Sequence, residues 1–198
     1  MIETIEQLEA IYGQPGDTSL VKVADRLTPE YLEYIKVSPF CALATVGPEG
    51  LDCTPRGDED QVVFVEDVKT LALPDRRGNN RIDSLRNIVR DPRVSLMFLI
   101  PGSNTVIRVN GSAKISDDVD LLKKYAKQGK APRTVILITI NELYFQCARA
   151  PMRAGLWKGN PAPDLPSPGK ILATMSDGKV GGKEYDDAWL ERALNSMW

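Results

Sequence analysis

The feature that most narrows the folds open to this chain is a series of short apolar runs, separated by tight turns, between Phe40 and Phe145. Phe40 to Val46 (FCALATV) reads as a buried strand, and Gly47-Pro48-Glu49-Gly50 turns it back into Leu51 to Pro55, which makes a hairpin. Gln61 to Val65 and Thr70 to Leu73 follow, with Glu66-Asp67 as the turn between them. Val94 to Ile100 (VSLMFLI) turns at Pro101-Gly102-Ser103-Asn104 into Val106 to Ile115, where Val106, Arg108 and Asn110 alternate with Ile107, Val109 and Gly111. Thr134 to Leu143, rich in β-branched residues, is the last strong strand. Parallel pairing would need a crossover after every strand, and these segments are joined mainly by turns. Six or so strands of this kind predict a mainly β fold with peripheral helices (α+β): a six-stranded antiparallel barrel, closed or split.

Helical spacing flanks and interrupts that series. Ile2, Ile5, Leu8 and Ile11 form one stripe, stopped by Tyr12-Gly13-Gln14-Pro15-Gly16. A second helix is expected after Thr28, with Pro29 at its first position and Glu30 in its first turn, through Tyr31, Leu32, Tyr34 and Ile35. Both are expected to pack outside the barrel. A short amphipathic helix is read over Asp117 to Gln128, ending at Gly129. A chain of 198 residues suits one core, so we expect a single domain over 1–198. Its parts are N-terminal helices (1–38), the barrel (39–158), and a Pro-rich linker with a C-terminal helix (159–198). In that last helix, Asp186 to Trp198, the residues Trp189, Leu190, Ala193, Leu194 and Met197 share one side. Ser167-Pro168-Gly169-Lys170 superficially suggests a phosphate loop, but it lacks the spacing and the preceding strand that such a loop requires.

Composition then removes whole classes of chemistry. The chain has no histidine, so it holds neither a Ser-His-Asp nor a Cys-His pair, and too few ligands for a Cys/His zinc site. Chemistry at neutral pH therefore falls to carboxylates, lysine, tyrosine or a cofactor with its own reactive centre. A formal net charge of -2 argues against a general nucleic-acid binder and points to a small-molecule partner. Cys41, Cys53 and Cys147 are widely spaced in apolar sequence, which suits reduced thiols in a core. No stretch has the length of a membrane span and the N-terminus is acidic, so a cytoplasmic protein without membrane partners is expected.

One stretch carries a candidate site. Thr70, Leu71, Ala72 and Leu73 form a strand that Pro74 is expected to end, and Ile82, Leu85, Ile88 and Val89 fall at helical spacing over Arg81 to Val89. Between them lie Asp75, Arg76, Arg77, Gly78, Asn79, Asn80 and Arg81, with Asn80 the expected N-cap. Unpartnered N–H groups at a helix start, beside guanidinium groups, suit an anion and most naturally a phosphate monoester. Gly and Asn are also ordinary turn residues, so a plain exposed turn is the alternative. Upstream, Pro55 is expected to break its ladder and free backbone groups for a ligand, and Arg56 and Asp58 are placed to pair with each other. A hydrogen bond to a charged group contributes about 1.5–3 kcal/mol, whereas micromolar binding needs about 8 kcal/mol, so a second surface must help. The basic segment after Phe145, with Arg149, Arg153, Trp157 and Lys158, is a candidate for it; an interface strap held by Trp157 is the other possibility.

The runs GLDCTPRGD, TLALPDRRGNNRIDSLRNIVRDPRVSLMFLI and IRVNGSAKI resemble the pyridoxamine 5′-phosphate oxidase-like FMN-binding split-barrel superfamily, especially its PRGD-containing bacterial branch. The resemblance spans Pro39 to Lys158, about two thirds of the chain, and its most recognisable piece is Arg90-Asp91-Pro92-Arg93-Val94-Ser95-Leu96. It implies a homodimer with FMN in the groove between two barrels. Arg81, Asn79, Asn80 and Arg56 would grip the phosphate, and Thr54, Pro55, Pro74 and Asp75 would line the ribityl chain and flavin edge. Phe145, Gln146, Arg153 and Trp157 of the other subunit would touch the ring, with Arg153 or Arg149 stabilising its reduced form. The oxidase's Arg-x-His pair for pyridoxal phosphate has no counterpart in Cys147-Ala148-Arg149-Ala150, and the missing histidine also disfavours haem ligation. The resemblance thus implies an FMN-dependent oxidoreductase acting on an unidentified small molecule, with NAD(P)H as a candidate donor, rather than vitamin B6 oxidation. A flavin-binding sensor or carrier without turnover, and a dimeric interaction module without cofactor, are the alternatives.

Overall fold

The computed structural model describes residues 1–159 and 163–196. The chain runs through α1 (Ile5–Tyr12), α2 (Asp17–Val21), α3 (Pro29–Lys36), β1 (Phe40–Gly47), β2 (Gly50–Gly57), β3 (Phe64–Val65), β4 (Thr70–Asp75) and α4 (Asp83–Arg90). It continues with β5 (Arg93–Leu99), β6 (Val106–Ser116), α5 (Val119–Lys124), β7 (Thr134–Gln146), α6 (Arg149–Ala154), α7 (Pro168–Met175), α8 (Gly182–Asp187) and α9 (Trp189–Ser196). The strands form one antiparallel sheet in the order β2-β1-β5-β6-β7-β4-β3. Among the described residues they number seven rather than six, the 61–65 stretch contributing only the two-residue β3.

The sheet curls about its own apolar face. Cys41 and Leu43 from β1, Leu71 and Leu73 from β4, Leu96 and Phe98 from β5, Ile107 and Val109 from β6, and Ile136 and Ile138 from β7 make its buried core. Period-two alternation places them all on the concave side. The hairpin closes through Pro48-Glu49 with Gly47 opposite Gly50. Between β6 and β7 the register slips at Asn110/Gly111, and a Cβ on Gly111 would meet the Thr139 carbonyl oxygen at 2.2 Å, so only glycine fits this bulge. The outward side of β1 and β5 presents Phe40, Ala42, Ala44 and Met97, with Met97 41% exposed.

The two seam strands carry prolines, and neither proline stops its strand. Asp58 donates its N–H to the Pro39 carbonyl, so the even-numbered residues of β2 face β1 and Pro55 turns its missing N–H to the free margin. In β4 the carbonyls of Lys69 and Asp75 accept from Ile140 and Arg133 on the β7 side. Pro74 therefore faces the other margin, beyond the end of β3. Proline is compatible with an edge, and both strands run on through it, to Gly57 and Asp75.

α3 starts as expected, with Thr28 Oγ1 accepting the Tyr31 N–H at 3.4 Å and Pro29 at the first position, and it buries Ile35. α1 departs from expectation: it buries no residue, and Ile5 and Ile11 are each 64% exposed. The expected helix over 117–128 shortens to α5, whose Tyr125 packs with Ala72 and Val135 outside the barrel. The expected single C-terminal helix is a set of three, α7 to α9; Met197 and Trp198 lie outside the described residues, as do 160–162 of the expected linker. The Ser167-Pro168-Gly169-Lys170 segment is the α7 cap, and the Asp186 carboxylate already occupies it, accepting from Ser167 Oγ at 2.5 Å and Gly169 N at 2.8 Å. Only Cys41 of the three cysteines is in the core, where burial pushes its thiol up to about 12; Cys53 and Cys147 are exposed. Among the described residues no helix is long and apolar enough to cross a membrane.

Candidate functional site

The free margins of β2 and β4 face each other without pairing, and side chains bridge them. Arg56 Nη1 on β2 contacts Asp75 Oδ1 on β4 at 2.6 Å, both side chains being mostly buried. Asp58, one residue past β2, receives Arg76 Nε at 3.0 Å and also Lys127 Nζ. The expected Arg56–Asp58 pair is therefore absent. Each residue instead pairs across the seam, Arg56 from the end of β2 with Asp75 and Asp58 from just past it with Arg76 and Lys127. Burial pushes the Asp58 carboxyl up, but hydrogen bonds from Lys127, the Glu59 N–H and Arg76 outweigh it and hold the group below its ordinary value. Arg76 Nη1 also donates to the Tyr125 carbonyl at 2.7 Å, fastening the turn after β4 to the segment after α5.

Above these bridges lies a cleft of about 580 Å³. Its lining includes Thr54, Pro55 and Arg56 from β2, Pro74 and Asp75 from β4, and Asn79, Asn80 and Arg81 from the turn, all eight residues expected to hold a phosphate and its chain. Arg76, Arg77, Leu73, Leu85, Arg133 and Thr134 also line it and were not among those candidates. Five arginines face two aspartates, so the cleft is electropositive although the chain is acidic.

The turn itself is built differently from expectation. Asn80 is not the N-cap; it has φ 61°, a left-handed conformation that Asn tolerates, and its Oδ1 accepts from Arg133 Nη1 at 2.7 Å. Asn79 Oδ1 accepts the Arg81 N–H at 3.0 Å. The helix α4 begins later, its N-cap position is Ile82, and no side chain caps it. Arg81 Nε contacts Asp83 Oδ2 at 2.5 Å on the surface. Two buried side-chain atoms in the described structure lack a hydrogen-bond partner, Arg56 Nε and Thr134 Oγ1, and both belong to residues of this cleft. Buried polar atoms are nearly always paired in folded proteins, so two such atoms in one cleft mark where a polar ligand would sit.

The other four candidates stand elsewhere in the chain. Phe145 and Gln146 end β7, twelve residues from Thr134, which is roughly 40 Å along the strand. Phe145 is 43% exposed, its N–H donates to Tyr31 Oη at 3.3 Å, and Lys22 Nζ lies 4.8 Å from its ring centre. Arg153 is exposed on α6, with Nε 3.4 Å from the Arg149 carbonyl. Trp157 Nε1 donates to the Ser103 carbonyl at 2.7 Å, strapping the segment after α6 to the β5–β6 turn. One chain thus gathers the phosphate-side candidates in a cleft and sets the ring-side candidates at the opposite end of β7.

Arg133 and Thr134 carried no motif in the sequence. The signal that finds them is register: Thr134 pairs with Asp75, so whatever precedes β7 lies beside the turn that follows β4.

Residues 27–147 match the family model described as pyridoxamine 5′-phosphate oxidase, and the chain belongs to that family. A comparison with curated proteins finds no match. Among solved structures, HupZ of Group A Streptococcus is 22% identical, with 60% of this chain and 93% of that one covered and a TM-score of 0.49. General Stress Protein 26 from Bacillus anthracis is 20% identical over 57% of this chain and 88% of that one, with a TM-score of 0.45. An FMN-binding protein from Syntrophomonas wolfei is 12% identical over 72% of this chain and 97% of that one, with a TM-score of 0.47.

Proposed function

We propose that the seam cleft binds the phosphate and ribityl chain of FMN and that the protein is a homodimeric flavin-dependent oxidoreductase acting on a small molecule. The observation that carries this is the pair of unpartnered buried atoms, Arg56 Nε and Thr134 Oγ1, in a cleft whose arginines outnumber its carboxylates. These donors suit a phosphate dianion: a cation beside it and a hydroxyl that can donate to it. Arg81, Asn79 and Asn80 would hold the phosphate. Thr54, Pro55, Pro74 and Asp75 would line the ribityl chain. FMN supplies hydride and electron transfer, and the protein supplies placement and electrostatics.

The dimer is supported by what one chain lacks. Phe145, Gln146, Arg153 and Trp157 cannot cover a ligand in their own cleft from the far end of β7, whereas a second copy lying antiparallel could bring them over it. The outward face of β1 and β5, with Phe40, Ala42, Ala44 and Met97, offers the apolar surface such a pairing requires. In that arrangement Trp157 and Phe145 would exclude water from the ring.

The test is the visible spectrum of the purified protein before and after adding FMN, followed by NADPH without oxygen. Bound flavin that bleaches with NADPH and recovers in air is the expected result. Flavin that binds without bleaching would leave a carrier or sensor, and a protein that takes up no flavin would overturn the proposal.

A further inference from the structure

Arg133 differs from most of the arginines beside it in how its charge is met. Arg56 has Asp75, Arg76 has Asp58 and Arg81 has Asp83. Among the described residues Arg133 meets no carboxylate; its Nη1 donates to the neutral Oδ1 of Asn80 at 2.7 Å. That bond uses one of five N–H donors and leaves most of the guanidinium fork unused. Arg77 is likewise without a carboxylate among the described residues and, like Arg133, is exposed, but it stands on the turn beside Gly78. Arg133 is anchored. Its N–H donates to the Asp75 carbonyl at 3.3 Å, and it lies between the buried Pro132 and Thr134, the first residue of β7. Thr134 itself presents one of the two unpartnered buried polar atoms.

We propose that Arg133, just before β7, and Thr134, its first residue, are anion ligands of the cleft, and that Asn80, besides its place at the phosphate, holds the Arg133 guanidinium toward the turn through its Oδ1. The ligand chemistry is a phosphate monoester dianion. A planar fork carrying an unmatched charge recognises such a group bidentately, and the adjacent hydroxyl supplies a further donor. Among the described residues three of the five guanidinium groups of the cleft have a carboxylate and two, Arg77 and Arg133, do not, so an arriving dianion meets unmatched positive charge. The identity of the monoester as FMN rests on the function proposed above; the anion site itself does not.

The experiment compares wild type, Arg133→Gln, Arg133→Lys and Thr134→Val. Each is titrated with FMN and with riboflavin by flavin fluorescence, and its melting temperature is followed with inorganic phosphate. Gln keeps a donor for Asn80 while removing the charge, and melting without ligand checks that each variant folds. Arg133→Gln is expected to weaken FMN binding about 10- to 100-fold, with riboflavin binding unchanged and the phosphate-dependent rise in melting temperature abolished. Lys should restore part of the loss, and Thr134→Val should weaken FMN about 2- to 10-fold. Equal FMN affinity and an equal phosphate response in wild type and Arg133→Gln would overturn the proposal, as would a wild type with no response to phosphate or flavin. Should wild type bind no flavin yet gain phosphate-dependent stability that Arg133→Gln lacks, the anion site would stand and the flavin assignment would fall.

Discussion

The two ends of β7 are furnished in opposite ways. At Thr134 the polar groups are mostly matched within the chain: Arg56 with Asp75, Asp58 with Arg76 and Lys127, Asn80 with Arg133. At Gln146 the chain leaves aromatic and cationic groups half open, with Lys22 over the rings of Tyr144 and Phe145, Arg108 over Tyr144, and Cys147 exposed. At the Thr134 end the buried polar atoms are paired except at two, Arg56 Nε and Thr134 Oγ1, and the unmatched charge is that of exposed arginines. A surface of rings and cations with little opposite it is what the proposed second copy would complete.

That contrast can be broken in three ways. Ile138 is fully buried midway along β7, so Ile138→Ala should cost about 2–5 kcal/mol in urea unfolding and loosen both ends together. Proteolysis confined to one end of the variant would show that the ends do not share a core. Next in size, Asp58→Asn should cost about 1–3 kcal/mol, since the amide loses hydrogen bonds from two cations at a largely buried position. The folded-state pKa of Asp58 lies below its ordinary 3.8, so the stability it contributes is fully present above that value and fades as pH falls through the lower one. Urea melts between about pH 5 and pH 2 should show wild type and Asp58→Asn converging at the acid end. A constant gap across that range would remove Asp58 from the seam's electrostatics. The smallest effect is expected at the open end, where Trp157→Phe removes one hydrogen bond to Ser103 and should cost about 0.5–1.5 kcal/mol in the protomer. A loss as large as that of Ile138→Ala would mean the open end is already load-carrying within one chain.

Local chemistry made much of this legible in the sequence. The Pro48-Glu49 hairpin, the Thr28 cap with Pro29 behind it, the apolar runs of β1 and β5 and the alternation along β6 are short-range patterns, and they appear where those patterns put them. Pro74, Asp75, Asn79, Asn80 and Arg81 line one cleft because their strand and turn are contiguous in the chain, whereas Thr54, Pro55 and Arg56 reach it from β2 across the seam. What was not legible depended on distant partners. The stripe on α1 has the same periodicity as a packing helix, and periodicity does not say whether anything lies opposite; among the described residues nothing buries it. Pro55 and Pro74 read as strand ends because a central strand would be broken there, but at a margin the missing N–H goes unnoticed by the ladder. Asn80 lost the cap to a left-handed turn, and Arg133 entered the cleft only because Thr134 pairs with Asp75.

The prolines of the two seam strands have a consequence of their own. Each puts a position with no hydrogen to donate on the side that would otherwise zip to its neighbour, so a ladder across the gap would lack a rung on each strand, which disfavours both closure and pairing with a foreign strand. The opening is thus written into the main chain, and side-chain chemistry around it is free to vary without the barrel sealing shut.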